Sequence, residues 1–279
     1  MRRIDHLVVA VRDLEAAGAF YGQLGFQVGV RNRHPWGTEN RLIQFGSSFI
    51  ELITVGEGGE AIPPHAPGRF SFGAFVRDFL RSREGLAMLV LDSEDAKRDA
   101  AAFAAAGLGT FEPFFFERKG RRPDGSETHL AFTLAFAVDA AAPEIGFFVC
   151  QQHFPENFWN AGLQRHPNGA TGIWAVTMTA PDPPRHRAFL SAFTGERPAS
   201  RESGAMSFRL ADGRIDLRAS GPSGPLRLPR LHAIEIPVTN LEAQRERLRQ
   251  AAVRHAERPD ALVVEGDAAA GVEIVFSAN

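Results

Sequence analysis

A single cysteine, Cys150, and a single tyrosine, Tyr21, stand in a chain of 279 residues. One cysteine excludes an intramolecular disulfide and fits a reducing compartment, so a cytoplasmic location is expected. Met1-Arg2-Arg3 runs straight into an apolar stretch that ends at Arg12, too short to be expected as a signal peptide or a membrane span. Neither sign of charge dominates. Formal net charge is −2 with Lys and Arg scattered, which leaves no basic patch for nucleic acid. What the chain has in quantity is phenylalanine, 23 residues of it, which implies an apolar interior or a greasy cavity with few phenolic hydroxyls to place. The expected partner is a small molecule, not nucleic acid or membrane, and assembly as a homodimer is left open.

The opening run Ile4-Asp5-His6-Leu7-Val8-Val9-Ala10-Val11-Arg12-Asp13-Leu14 returns as Leu231-His232-Ala233-Ile234-Glu235-Ile236-Pro237-Val238-Thr239-Asn240-Leu241. Each copy reads as an apolar strand, an Asp or Asn able to cap a helix, then an amphipathic helix. Weaker copies start at Leu86 and Ile173. Four starts define a period of roughly 60–85 residues, longer than the solenoid repeats, so the chain is read as duplicated modules.

Each start is followed by a similar order of elements. After the first, Asp13 to Leu24 reads as a helix closed by Gly25, with strands at 26–31, 40–45 and 49–55. The sum is a βαβββ unit whose small sheet has one bare face, so modules must pair. The expected fold is α+β, with four βαβββ modules paired into cupped mixed sheets and helices outside. Residues 1–153 form an N-terminal half (modules 1–56 and 70–153). Residues 154–279 form a C-terminal half (modules 170–220 and 228–279). Gly56–Arg69 and Phe154–Asn168 read as linkers.

The repeated unit, His6 in the first strand, Phe20-Tyr21-Gly22-Gln23-Leu24-Gly25-Phe26 at the helix end and Ile50-Glu51-Leu52-Ile53 resemble the vicinal oxygen chelate (VOC) superfamily. That superfamily includes glyoxalase I, extradiol dioxygenases, fosfomycin- and bleomycin-resistance proteins and epimerases. Within it, Trp36-Gly37-Thr38-Glu39-Asn40, Arg122-Pro123-Asp124-Gly125 and Gly146-Phe147-Phe148-Val149-Cys150-Gln151-Gln152-His153 resemble the glyoxalase-like branch. The resemblance covers the whole chain. It implies a glyoxalase/bleomycin resistance/extradiol dioxygenase fold and a divalent metal in a cup between two modules; the scaffold alone does not choose a reaction.

In the first strand His6, Val8 and Ala10 share one face, opposite Asp5, Leu7, Val9 and Val11. The larger apolar face should take the helix, which turns His6 into the cup, and Glu51 shares its face with Ile53 and Val55. By the resemblance, His6 and Glu51 occupy metal-ligand positions, suitable for Fe, Mn, Zn or Ni, with Glu51 also catalytic. Aligning the second start on the first sets Leu86 against His6, so a third ligand is sought elsewhere, at His129 or His153. In Thr128–Phe136, Leu130, Phe132, Leu134 and Phe136 are read as facing the helices, and His129, Ala131, Thr133 and Ala135 as facing the cavity. His34, Trp36 and Asn40, in the connection where a lid would lie, are expected to bind substrate together with Gln151 and His153. Arg118–Gly125 is read as a charged hairpin turn and Cys150 as an inert buried thiol. Modules three and four offer Trp174, Thr177, Asp216, Glu235 and Glu273 but no His in ligand register. The cavity is therefore expected between modules one and two, although pairing of module one with four is also open.

The expected activity is that of a small-molecule VOC-type enzyme, a metal-dependent lyase, isomerase or dioxygenase acting on neighbouring oxygens. The alternative is a non-catalytic protein that sequesters a small ligand, as resistance proteins do.

Overall fold

The computed structural model describes residues 1–121, 127–200, 204–221 and 228–279. Module one runs β1 (Ile4–Ala10), α1 (Leu14–Gln23), β2 (Asn32–Arg33), β3 (Thr38–Gln44) and β4 (Phe49–Val55). Module two places a helix ahead of its first strand: α2 (Phe72–Ser82), β5 (Gly85–Asp92), α3 (Ala96–Ala105), β6 (Phe114–Arg121), β7 (Glu127–Ala137) and β8 (Gly146–Gln152). A single turn, α4 (Pro155–Phe158), interrupts the connection to module three, which comprises β9 (Ala175–Ala180), α5 (Arg187–Thr194), β10 (Ala199–Ser200), β11 (Met206–Arg209) and β12 (Arg214–Ala219). Module four follows with β13 (Arg230–Val238), α6 (Leu241–Gln250), β14 (Ala256–Arg258), β15 (Ala261–Val264) and β16 (Glu273–Ala278). The turn at Arg122–Gly125 lies outside the described residues.

Three of the four starts end in the same local device. Asp13, Asp95 and Asn240 stand in extended backbone, and their side chains accept from the first free N–H groups of α1, α3 and α6. Asp182 makes no such bond. The strand expected at 26–31 does not form; Phe26 instead turns into the core beside Phe45 and Phe276, and pairing resumes at β2.

Two eight-stranded sheets result, ordered β2-β3-β4-β1-β5-β8-β7-β6 and β10-β11-β12-β9-β13-β16-β15-β14. Modules pair through antiparallel β1–β5 and β9–β13. Module one therefore joins module two, and module three joins module four. The outer faces of both sheets, with α1, α3, α5 and α6, share one core. Ring pairs Phe103–Phe193 and Phe147–Phe189 tie the two halves across it. The concave faces are left on opposite sides of the molecule.

The placement of α2 departs from the expectation that all helices lie outside. Phe72, Phe75, Val76, Phe79 and Leu80 follow the i, i+3, i+4, i+7, i+8 spacing of one helical stripe, and that stripe packs into the cup of the first sheet against Val8, Ala10, Met88 and Val90. Ser71 caps the helix, accepting from the Ala74 N–H.

Candidate functional site

With α2 filling one end of the first cup, a cavity of about 420 Å³ remains at the other. Its floor comes from β1 and β4. Alternation turns His6, Val8 and Ala10 inward from β1, and Phe49, Glu51 and Ile53 inward from β4. His6 and Phe49 are partners in the parallel ladder, and their rings stack at 4.3 Å with 12° between planes. His6 and Glu51 are each 5% exposed, and His6 Nε2 lies 3.9 Å from Glu51 Oε2.

A bulge in β1 between Ile4 and His6 breaks the alternation that would put Asp5 on the far face. Asp5 is buried, and its Oδ1 accepts from His6 Nδ1–H at 2.5 Å. Gln152 Nε2 donates to the other Asp5 oxygen at 2.8 Å. The far side of the imidazole is thereby fixed, and Nε2 is the nitrogen that His6 offers to the cavity.

Glu51 is held in the same manner. Asn40, on β3, donates through Nδ2 to Glu51 Oε1 at 2.5 Å and lies 3.4 Å from His34 Nε2. This leaves Oε2 as the oxygen that faces His6. His34 Nδ1 meets Thr38 Oγ1 at 2.9 Å, and its ring stacks on Trp36 at 4.4 Å. Burial holds His34 below the usual histidine value; the Glu51 charge opposes this and the Arg118 charge adds to it. Aromatic side chains supply most of the remaining wall, including Phe72 of α2, Phe116 of β6, Phe132 of β7, Phe148 of β8 and Phe158 of α4. Cys150 also lines it, and burial pushes its thiol well up, so it stays neutral.

The structure thus brings His6, His34, Trp36, Asn40 and Glu51 to one cavity. His129, Gln151 and His153 are elsewhere. His129 Nε2 pairs with Glu117 at 2.7 Å and its ring lies tilted against Phe154, while His153 Nε2 meets Thr133 Oγ1 at 2.8 Å. Gln151 accepts from the Ala96 N–H and donates to Glu94 O, bracing the start of α3. The reason is an inversion of β7. Its small residues, Ala135 and Ala137, take the helix side with Phe103 of the alanine-rich α3. Its large residues, Leu130, Phe132 and Leu134, therefore face the cavity.

That inversion takes His129 out of the donor set that the sequence suggested. The faces of module two that meet the cup carry Met88, Val90 and Phe148, whereas Leu86 lies on the helix side. His6 Nε2 and His34 Nε2 each lie 3.9 Å from a Glu51 oxygen, but Asn40 Nδ2 is bonded to Glu51 Oε1 and faces His34 Nε2, which leaves His6 Nε2 and Glu51 Oε2 as the two open donors. No three His, Cys, Asp or Glu side chains among the described residues are gathered to hold a metal. The set does not fit a divalent ion held by three protein ligands. Residues that the sequence reading did not assign to the site are Asp5, Asn32, Phe72 and Phe158, and Arg118, read there as part of a charged turn, stands on β6 at the cavity. For Phe72 the signal was present, in the helical stripe that begins there; for Phe158 it was the second linker's aromatic content.

Two cupped sheets built from paired βαβββ units, with polar residues inside one cup, define a protein of the vicinal oxygen chelate superfamily. The chain belongs to the glyoxalase-like domain family, whose model matches residues 4–194. The fold resembles that of a hypothetical protein from Staphylococcus aureus at 13% identity and a TM-score of 0.73, over 100% of both chains. It also resembles a Mn(II)-bound glyoxalase from Novosphingobium aromaticivorans (11% identity, TM-score 0.58, 100% of this chain and 83% of that one). Homoprotocatechuate 2,3-dioxygenase from Arthrobacter globiformis is similar at 14% identity and a TM-score of 0.54, over 99% of this chain and 79% of that one. No curated protein matches the sequence. No helix among the described residues is long and apolar enough to cross a membrane.

Proposed function

We propose that the chain is an enzyme that moves a proton within a small, flat, largely apolar molecule carrying adjacent oxygens. Glu51 is its base and His6 its proton-exchanging partner. The observation that carries this reading is the His6–Glu51 couple, buried at the polar floor of an aromatic cavity. The inactive nitrogen of His6 is locked by Asp5, and one oxygen of Glu51 is locked by Asn40. Glu51 Oε2 takes a proton from a carbon next to a carbonyl; the C–H electron pair forms a carbon–carbon double bond and the carbonyl π pair moves onto the oxygen. His6, whose Nδ1–H is held, exchanges protons at Nε2 alone and delivers one to that oxygen or to the neighbouring carbon. Return of the proton at the second carbon gives an isomer; loss of a leaving group there gives a lyase. Aromatic walls exclude water and strengthen these electrostatic contacts.

The metal-dependent version read from the sequence needs a donor beyond His6 and Glu51, so no step is routed through a metal. A second reading, sequestration of a ligand without chemistry, is favoured by the apolar lining. One experiment separates these readings. Ring-bearing carbonyl compounds are incubated with the protein in D2O, and the C–H next to the carbonyl is followed by NMR. Exchange by the native chain, with a loss of at least about a hundredfold in Glu51→Gln, is expected from removal of a general base. Binding without exchange in both proteins points to sequestration. A stoichiometric Fe, Mn, Zn or Ni ion in protein purified without chelator, released by Glu51→Gln, overturns the metal-free mechanism.

A further inference from the structure

The cavity has one polar side, and it runs continuously from floor to mouth. Asn40 Nδ2 donates to Glu51 Oε1 at 2.5 Å, Asn32 Nδ2 donates to Asn40 Oδ1 at 3.3 Å, and Arg118 Nη1 donates to Asn32 Oδ1 at 3.4 Å. The ridge starts at a carboxylate and ends at a guanidinium, with two amides between them. Trp36, Phe49, Phe116 and Phe132 supply aromatic wall around it.

Among the described residues, the guanidinium at the end of the ridge has no carboxylate opposite it. Arg33, the other arginine that lines the cavity, lies 2.8 Å from Glu39, which also binds Arg31. Arg118 has no carboxylate partner among the described residues; its neighbour Glu117 bonds His129 instead. The charge of Arg118 also acts inside the cavity, where it weakens protonation of His34. A guanidinium presents parallel N–H groups that match a carboxylate, and a neutral wall of rings favours a flat body.

We infer that the cavity takes a planar, ring-bearing carboxylate, with its carboxylate at Arg118 and its reacting carbon at the opposite end, beside Glu51. The position of the reacting carbon rests on the function proposed above; the binding polarity does not. Short 2-oxo acids, in which the carboxylate adjoins the reacting group, are too short to span the ridge.

Three acids, benzoate, cinnamate and 2-naphthoate, are each compared with the corresponding amide by quenching of tryptophan fluorescence, since Trp36 lines the cavity. At least one acid is expected to bind about tenfold tighter than its amide at low salt, and the advantage should shrink as salt rises. Arg118→Met should abolish the preference by weakening the acid about tenfold more than the amide, and retained binding of the amide shows that the cavity is intact. Arg118→Lys should keep part of it. Equal binding within every pair, no binding of any probe, or an unchanged ratio in Arg118→Met overturns the inference. Turnover is not read in this test. If the preference holds while every ring-bearing carbonyl compound of the exchange experiment stays inert in D2O, the ligand class stands and the proton-transfer reading falls.

Discussion

Tyr21 carries a hydroxyl that is fully buried and has no hydrogen-bond partner among the described residues. Burial pushes its phenol well up, so the group stays neutral. A buried polar group without a partner costs free energy that an apolar replacement of the same shape recovers. Tyr21→Phe is therefore expected to raise stability by about 1 kcal/mol, read as a higher urea midpoint with an unchanged slope. At this scale His6 and Glu51 were legible, because alternation from His6 to Ala10 on β1 and along β4 assigns their faces. His34 and Asn40 were singled out from the turn-rich run around them, and both line the cavity. Asp5 was not. The bulge that brings it round to His6 is a break in alternation, and nothing in an apolar run marks where such a break falls. His129 was misplaced for another reason: β7 has one face of large apolar residues and one of small, partly polar residues, and the polar character of the second suggested a cavity wall. The larger face was assigned to the helices, but close approach of α3 needed the smaller one.

Among the elements, α2 sets the size of the cavity. It occupies concave surface that would otherwise be open, and its stripe is the floor of the second hydrophobic cluster. Phe79→Ala, at the α2 face that is nearly buried, is expected to cost about 3 kcal/mol by leaving a void that the sheet cannot close. Thermal or urea unfolding of the variant checks the figure. The helix was readable as a stripe, yet the duplicated pattern has no place for it, since it precedes β5 where the other modules have only a connection. A repeat draws attention to what recurs, and α2 does not recur.

For the whole molecule, the seam between the halves is where pH should be felt. His166, in the connection from module two to module three, accepts from the Gln27 N–H at Nδ1 and meets Gln44 O through Nε2, both at 2.9 Å. Burial lowers its pKa, against the opposing bond to Gln44. The unfolded chain takes up a proton near the usual histidine value of about 6.5, whereas the folded chain resists it. Stability should be full above that pH and fall as pH drops towards the lower folded value. His34 and His65 are lowered by burial in the same direction. Urea midpoints measured across this range should decline towards acid, and His166→Gln should flatten the decline. The back-to-back packing of the sheets has a different kind of consequence. In the second cup Asp216 accepts from Ser207 and Arg214, and Arg214 also reaches Glu235. Although burial pushes Asp216 up, those bonds and the charges of Arg214 and Arg218 hold it below the usual carboxylate value. Duplication has thus left one chain with two vessels of a single design, facing opposite ways and sharing only their backs. Heredity can alter the contents of one without spilling the other.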